Sequence, residues 1–230
     1  MKICVVGCER SGTTAISKLL SIGSGLSLLD DPPESWYVYP LIYMTGCGMT
    51  LPLWWKLRTY SIVKVPGFAT ILPYLRTRFV GKFYTIYCVR DPRDVVAAVF
   101  ERLKNSYSSL FTDVTWMGIR VKNQVEALAW RWRKYLESTM LYEKKYNRVL
   151  YIKYENFFVD KLGVLTKCAK ETGIQFNPDK AKPYLDIQLN KSWDNEIKGL
   201  NRWQSDLTQE YIDLIVEICE DLMHYWNYEI

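Results

Sequence analysis

The sequence predicts an α/β fold, a three-layer sandwich in which helices cover both faces of a central, mostly parallel sheet. Short apolar runs alternate along the chain with longer segments of helical periodicity. The run at 82–89 is apolar almost throughout, as expected of a strand that is covered on both faces. No internal repeat or low-complexity tract divides the 230 residues, so we expect one domain over 1–230.

Four strands are predicted from short runs rich in β-branched and aromatic residues. They are KICVV at 2–6, SIVKV at 61–65, KFYTIYCV at 82–89 and RVLYIKY at 148–154. Within LSLLDDPPES, at 26–35, the residues DDPPES at 30–35 have the composition of a turn.

Helices are predicted between these strands. The first covers 13–23, with Ile16, Leu19 and Leu20 on one face and Gly23 as its end. The segment 68–79 predicts a short helix interrupted by Pro73.

Four more helices complete the prediction. One begins with Asp91 as N-cap and Pro92 in first position. A helix at 157–172 ends near Gly173, and the last helix is capped by Asp206 or Thr208. A long amphipathic helix is predicted at 121–146, and its apolar stripe comprises Val121, Val125, Leu128, Trp132 and Leu136.

Composition limits the classes of partner. The 30 Lys and Arg against 25 Asp and Glu give a formal charge of +5, which suits an anionic small molecule. No long basic run indicates nucleic acid, and no stretch approaches the ~18 apolar residues of a membrane span. The first residues are too soon polar for a signal peptide, so we expect a cytoplasmic protein. The six cysteines form no C-x-x-C pair, which argues against zinc.

The segment GCERSGTT, at 7–14, predicts an anion-binding loop between the first strand and the first helix. Its glycines allow close backbone approach, and the helix start adds about half a positive charge. The pattern is that of a P-loop, but Thr13 stands where nucleotide hydrolases have a lysine, and Arg10 supplies a cation instead. We therefore expect a shorter anionic chain than a metal-bound triphosphate, and no metal.

A second anion site is predicted at Arg90, which ends a central strand and precedes a helix capped by Asp91. From the residues alone, an ion pair of Arg90 with Asp91 or Asp94 is an open alternative. The aromatic-rich segment 35–60 is equally consistent with packing on the core and with the wall of an acceptor pocket.

Both anion motifs resemble those of sulfotransferases that use 3′-phosphoadenosine 5′-phosphosulfate (PAPS). The residues that match the 5′-phosphosulfate loop P-[KR]-S-G-T-T are Arg10, Ser11, Gly12, Thr13 and Thr14. Glu9 replaces the usual proline, and we expect its side chain to point away from the anion. Residues 90–94 match the 3′-phosphate motif R-[DN]-P-[RK]-D-x-x-x-S, but Ala98 replaces its serine.

The loss of that serine removes one hydrogen bond to the 3′-phosphate, which Arg93, Ser106 or Ser108 could replace. Weaker similarities place Tyr154 near the adenine. They also assign Lys198 and Gly199 to the 3′-phosphate, with Arg202 as a further candidate.

The resemblance implies a transferase that moves a sulfonate group from PAPS to an acceptor hydroxyl or amine and releases 3′-phosphoadenosine 5′-phosphate (PAP). Arg10 would stabilise the leaving phosphate, and Lys64 would approach the sulfonate, although a solvated strand-end lysine is an equal alternative. The only histidine, His224, is expected to be a surface or packing residue.

The resemblance also suggests a carboxylate as the catalytic base. Asp31 matches best, with Asp30 and Glu34 as alternatives. The acceptor is expected to be a small molecule or a carbohydrate. The other hypotheses are a divergent P-loop kinase or hydrolase that uses ATP, and a non-catalytic nucleotide-binding relative.

Overall fold

The computed structural model describes residues 1–37, 50–79, 81–104, 114–115, 118–186 and 199–230. Within this part of the chain, five strands form one parallel sheet in the order β2-β3-β1-β4-β5. The strands are β1 Lys2–Gly7, β2 Leu28–Asp30, β3 Ile62–Lys64, β4 Phe83–Val89 and β5 Val149–Lys153. The α/β prediction is thus confirmed, and the sheet is parallel throughout.

Strand β2 is the one that the sequence prediction missed. It has only three residues and lies at the edge of the sheet, where it pairs with β3 alone. Turn-forming residues follow this strand directly. Three residues are too few for an alternation of apolar and polar side chains to distinguish a strand from the turn.

Helices cover both faces of the sheet. Their bounds are α1 Thr13–Ser24, α2 Leu51–Thr59, α3 Leu72–Arg78, α4 Pro92–Lys104, α5 Gln124–Tyr146, α6 Tyr154–Val159, α7 Lys161–Thr172, α8 Pro178–Ala181, α9 Trp203–Asp206 and α10 Gln209–Tyr225. Short 3₁₀ helices occupy Pro33–Tyr37, Pro66–Thr70 and Lys182–Tyr184.

Strand β1 shows how the three layers are built. Its side chains alternate, so Ile3 and Val5 pack with α1 and α7 while Cys4 and Val6 pack with α5 and α10 on the other face. The long helix α5 contributes Trp132 to this second cluster as a fully buried side chain. Burial on both faces explains why the central strands are mostly apolar.

Several helix ends differ from the prediction. Helix α1 continues to Ser24 and ends at Gly25, which has a φ of 70°. Gly23 instead permits close packing, because a Cβ there would lie 2.1 Å from the ring of Phe176. Pro73 occupies the first turn of α3, a position where its missing N–H costs nothing, so it begins that helix and does not interrupt it.

Two further boundaries are corrected, and the structure decides between the two predicted caps of the last helix. Asn123 caps α5, and its side chain accepts a hydrogen bond from the N–H of Glu126, so Val121 precedes the helix. The predicted helix at 157–172 is two helices, α6 and α7, and α6 already begins at Tyr154. Thr208 caps α10, whereas Asp206 pairs with Arg202.

Among the described residues, no helix combines the length and the apolar character needed to cross a bilayer.

Candidate functional site

The loop between β1 and α1 depends on backbone conformations that favour glycine. Gly7 has a φ of 145°, and a Cβ there would lie 2.4 Å from the carbonyl oxygen of Cys88 on the neighbouring strand. Gly12 has a φ of 84° and directly precedes α1. Arg10, although not a glycine, also has a positive φ of 69°. The loop therefore turns sharply at the carboxyl edge of the sheet and presents the start of α1.

Three hydroxyl side chains, those of Ser11, Thr13 and Thr14, are buried around this helix start. The Ser11 side chain has no exposed surface, and its Oγ has no hydrogen-bond partner within the described parts of the chain. The first N–H groups of a helix also lack intrahelical acceptors. Because a buried hydroxyl without a partner is costly, an anion that accepts from Ser11 and these N–H groups fits the loop.

Arg90 follows β4 and contacts the loop directly. Its Nη1 donates to the carbonyl oxygen of Arg10 at 3.0 Å, and its Nη2 donates to Asp94 Oδ2 at 3.0 Å. The guanidinium also lies 4.5 Å from the ring centroid of Tyr154, and Nη2 is 3.5 Å from the carbonyl oxygen of Gly199. The ion pair that the sequence left as an alternative is therefore made with Asp94.

One of the three guanidinium nitrogens of Arg90 makes none of these contacts. Its buried Nε has no hydrogen-bond partner among the described residues. The Tyr154 ring lies between Arg90 and the loop. The Arg90 guanidinium contacts this ring, and a Cβ on Gly12 would lie 2.4 Å from its Cδ2. The structure thus brings Arg10, Gly12, Arg90, Tyr154 and Gly199 together, whereas Lys198 lies outside the described residues.

Glu9, the unusual residue of the loop, is bound by an arginine of α5. Arg131 Nη2 lies 2.7 Å from Glu9 Oε1, and Arg131 Nε lies 3.0 Å from Oε2. Burial alone raises the pKa of Glu9, but the charge and hydrogen bonds of Arg131 outweigh burial and bring this pKa below its ordinary value. Glu9 therefore stays ionised, with its charge compensated.

A carboxylate and lysine cluster lies at the carboxyl ends of β2 and β3. The register pairs Asp30 with Lys64, and the Lys64 Nζ is 3.3 Å from Asp30 Oδ1 and 3.4 Å from Asp31 Oδ2. Lys64 is buried, so it is not the solvated strand-end lysine of the alternative interpretation. Asp31 has a φ of 46° and donates its N–H to the Lys64 carbonyl oxygen at 2.8 Å.

The pKa shifts distinguish Asp31 from Glu34, two of the candidate bases. Burial raises the pKa of Asp31; Lys64 opposes this rise, and the charges of Glu9 and Asp30 add to it. In contrast, a hydrogen bond from Lys56, at 2.5 Å from Glu34 Oε1, lowers the pKa of Glu34. Asp31 is therefore better suited than Glu34 to accept a proton near neutral pH.

Two other side chains of types often used in catalysis, those of His224 and Cys8, are unsuited to such chemistry. His224 is exposed on α10, 4.0 Å from a carboxylate oxygen of Glu220. Cys8 is buried, and burial raises the pKa of its thiol well above the ordinary value, which disfavours a reactive thiolate.

Comparison with known families decides the classification. The sequence profile of the sulfotransferase domain matches residues 70–227, more than half of the chain. The chain belongs to the sulfotransferase family. A comparison with curated protein sequences found no match.

Solved structures share the fold of this sulfotransferase. Mouse sulfotransferase SULT7A1 complexed with PAP aligns with a TM-score of 0.63 at 16% identity, over 97% of this chain and 84% of the mouse chain. The sulfotransferase domain of the curacin biosynthetic pathway aligns at 0.58 and 16% identity, over 100% and 98%. Retinol dehydratase in a complex with retinol and PAP aligns at 0.53 and 16%, over 96% and 80%.

Two arginines considered for the 3′-phosphate, Arg93 as a substitute for the missing serine and Arg202 as a further candidate of the late loop, are paired with carboxylates of this sulfotransferase. Arg93 is buried, forms a bidentate pair with Asp91 and donates to the Glu229 carbonyl oxygen at 2.6 Å. Arg202 pairs with Glu101 and Asp206. Ala98 is buried on α4, and Ser106 and Ser108 lie outside the described residues.

Other contacts of the site were not predicted from the sequence of this sulfotransferase. Asp94 accepts from the backbone N–H groups of Asn201 and Trp203 as well as from Arg90, and so joins α4 to the late loop. Trp132 donates its indole N–H to the Arg90 carbonyl oxygen at 2.9 Å.

Residues near the end of the sequence contact the segment that follows Arg90 and the end of β5. Tyr228 donates to Glu155, which in turn accepts from the N–H of Asp91, and Lys153 donates to the Trp226 carbonyl oxygen. These contacts join residues that are far apart in sequence, and no local sequence pattern predicts them. Arg131 is the one such residue that the sequence could have indicated, because it is a charged residue among the buried, mostly apolar positions of α5.

Proposed function

We propose that this sulfotransferase uses PAPS as its donor and transfers the sulfonate group to a hydroxyl or amine of a small-molecule or carbohydrate acceptor. The loop around Gly12 would bind the 5′-phosphosulfate, and Arg90 would bind the 3′-phosphate. We further propose that residues 1–230 form a single domain, since both apolar clusters share one sheet.

The observation that carries this proposal is a pair of buried donors without partners, on two motifs that touch. The Ser11 hydroxyl lies in the loop and the Arg90 Nε lies at the second motif, and neither finds an acceptor in the described parts of the chain. Arg90 also donates to the loop at Arg10. Two anionic groups on one nucleotide would satisfy both donors, whereas a single simple anion would satisfy one.

The chain's own residues supply what in-line sulfonate transfer requires. The Arg10 guanidinium and the N–H groups at the start of α1 stabilise the charge that develops on the leaving phosphate. The buried Lys64 ammonium faces the non-bridging sulfonate oxygens. Asp31, 3.4 Å from that ammonium, removes the proton of the acceptor as its oxygen or nitrogen bonds to sulfur and the bond from sulfur to the phosphate oxygen breaks.

The similar structures support the nature of the two substrates. Mouse SULT7A1 and retinol dehydratase are both complexes with PAP, which corresponds to PAPS after loss of its sulfonate group. The retinol dehydratase complex contains retinol as well as PAP, which supports a small organic acceptor. Much of the aromatic segment proposed as an acceptor wall, residues 38–49, lies outside the described residues.

Titration calorimetry with PAP, and separately with ATP and Mg²⁺, tests the donor. We expect PAP to bind and ATP with Mg²⁺ not to bind; the reverse would favour a kinase or hydrolase, and binding of neither would favour a non-catalytic relative. Arg10→Ala and Arg90→Ala should each weaken PAP binding about 10- to 150-fold, the value of a hydrogen bond to a charged group.

Arg148→Ala is the matched control, because it removes an equal charge from an exposed residue at the opposite edge of the sheet. It should leave PAP affinity unchanged. If Arg10→Ala and Arg90→Ala bind PAP as tightly as this control, the assignment of both anion sites is wrong.

A further inference from the structure

Helix α5 carries a buried arginine, Arg131, whose guanidinium forms an ion pair with Glu9 of the anion-binding loop. Both carboxylate oxygens of Glu9 accept from Arg131, at 2.7 and 3.0 Å, and the two side chains are only 17% and 9% exposed. The guanidinium also packs on the ring of Tyr135 at 5.0 Å. A bidentate, shielded pair of this kind has a defined geometry, unlike a pair in solvent.

The position of Glu9 makes this pair consequential for binding. Glu9 directly precedes Arg10 in a loop whose proposed ligand is an anion, and an uncompensated carboxylate there would repel it. The side chain is too buried for solvent to screen its charge fully. The charge of Arg131 cancels that of Glu9 and leaves Arg10 and the helix start to determine the field.

The next residue of α5 contacts the other anion motif. Trp132 is fully buried and donates its indole N–H to the carbonyl oxygen of Arg90 at 2.9 Å. Consecutive residues of one 23-residue helix thus bind the loop before α1 and the end of β4. Since Trp132 is fixed in the core, Glu9 is held at a constant place relative to Arg90.

We propose that Arg131 is a positioning residue for donor binding: it neutralises Glu9 and ties the 5′-phosphosulfate loop to α5, which sets the distance between the two anion sites. This inference rests on the proposed function, because it assumes a donor with an anionic group at each site. Arg131 itself does not touch the donor and acts through Glu9.

Charge-matched variants separate this role from a loss of stability. In Arg131→Gln the carboxylate of Glu9 is left unpaired beside the anion, and we expect the Kd for PAP to rise at least tenfold, with KM for PAPS rising more than kcat falls. In the double variant Glu9→Gln, Arg131→Gln, two neutral amides can still bond to each other, so the Kd should return to within about threefold of wild type. Glu9→Gln alone should bind PAP at least as tightly as wild type.

Arg133→Gln is the control, because Arg133 lies on the same helix and also pairs with two carboxylates, those of Glu137 and Asp221, but away from the loop. It should leave the Kd for PAP within twofold of wild type. Thermal unfolding of each variant checks that it is folded.

The proposal is overturned if folded Arg131→Gln binds PAP within twofold of wild type, or if the double variant binds as weakly as Arg131→Gln. If Arg131→Gln does not fold, the folded double variant decides: affinity near wild type supports the proposal and a tenfold loss overturns it. Failure of the wild-type protein to bind PAP would instead refute the proposed function. Normal wild-type binding with an unaffected Arg131→Gln would refute this inference alone.

Discussion

Asp94→Asn tests how far the site depends on one buried carboxylate. Asp94 is 1% exposed, and its oxygens accept from Arg90 Nη2 at 3.0 Å and from the N–H groups of Asn201 and Trp203 at 3.1 and 3.2 Å. Asparagine has nearly the same shape but lacks the charge. In either orientation its amide nitrogen also faces an N–H donor, so at least one of the three hydrogen bonds is lost.

The expected cost follows from these contacts. Removing one partner of a buried ion pair costs about 3–5 kcal/mol, because the remaining charge is left uncompensated. Arg90 retains carbonyl acceptors at Arg10 and Gly199, so we expect the lower end, about 3 kcal/mol. That is a large share of the ~5–15 kcal/mol by which domains are stable. PAP affinity should fall as well, because Arg90 loses its orientation.

Urea denaturation measures the free energy of unfolding, with Asp221→Asn as the control. Asp221 also pairs with an arginine, Arg133, but its side chain is 63% exposed, and such a pair is worth at most about 1 kcal/mol. If Asp94→Asn lowers the free energy of unfolding no more than Asp221→Asn does, the buried pair does not stabilise the site as argued.

Three further predictions concern the loop and the base. Asp31→Asn should preserve PAP affinity by calorimetry but lower turnover about 10²- to 10⁴-fold; full turnover would exclude Asp31 as base. Burial raises the pKa of Asp31, and activity that requires its carboxylate form is lost as pH falls through that pKa. Glu9→Gln removes a charge that raises this pKa, so the acid limb of its kcat profile should lie at lower pH than in wild type, and an unmoved limb contradicts this. Gly12→Ala should destabilise by about 1 kcal/mol or more and weaken PAP binding, since its φ is 84° and its Cβ would meet Tyr154. Gly25→Ala, with a φ of 70° and open space, should show the backbone cost in unfolding experiments but unchanged PAP affinity.

The parts of the fold that sequence predicted are those encoded locally. Strands β1 and β4 are continuous apolar runs, and the Asp91 cap is a side chain two residues from the N–H of Arg93 that it binds, at 2.8 Å. The glycine loop is recognisable because its glycines meet a local backbone requirement. Strand β2 was not predicted from the sequence, because its three residues form a strand only by pairing with β3.

The candidate site was predicted less completely, because most of its contacts are long-range. Sequence patterns indicated Arg90 and the loop, but the pairing of Glu9 with Arg131 spans 122 residues and that of Asp94 with Trp203 spans 109. Arg93, proposed from the motif as a substitute phosphate ligand, is instead used by Asp91 and Glu229. Which of two neighbouring arginines faces a site depends on tertiary packing, which no local motif specifies.

The contacts of Tyr228 and Glu229 with Glu155 and Arg93 have a consequence for synthesis. A ribosome adds about 5–20 residues per second, so the glycine loop at 7–14 is made well before residue 229. The second anion motif, around Arg90, gains the contacts of Tyr228 and Glu229 only after translation has passed residue 229. A nascent chain halted before that point would carry the loop without a finished nucleotide cleft.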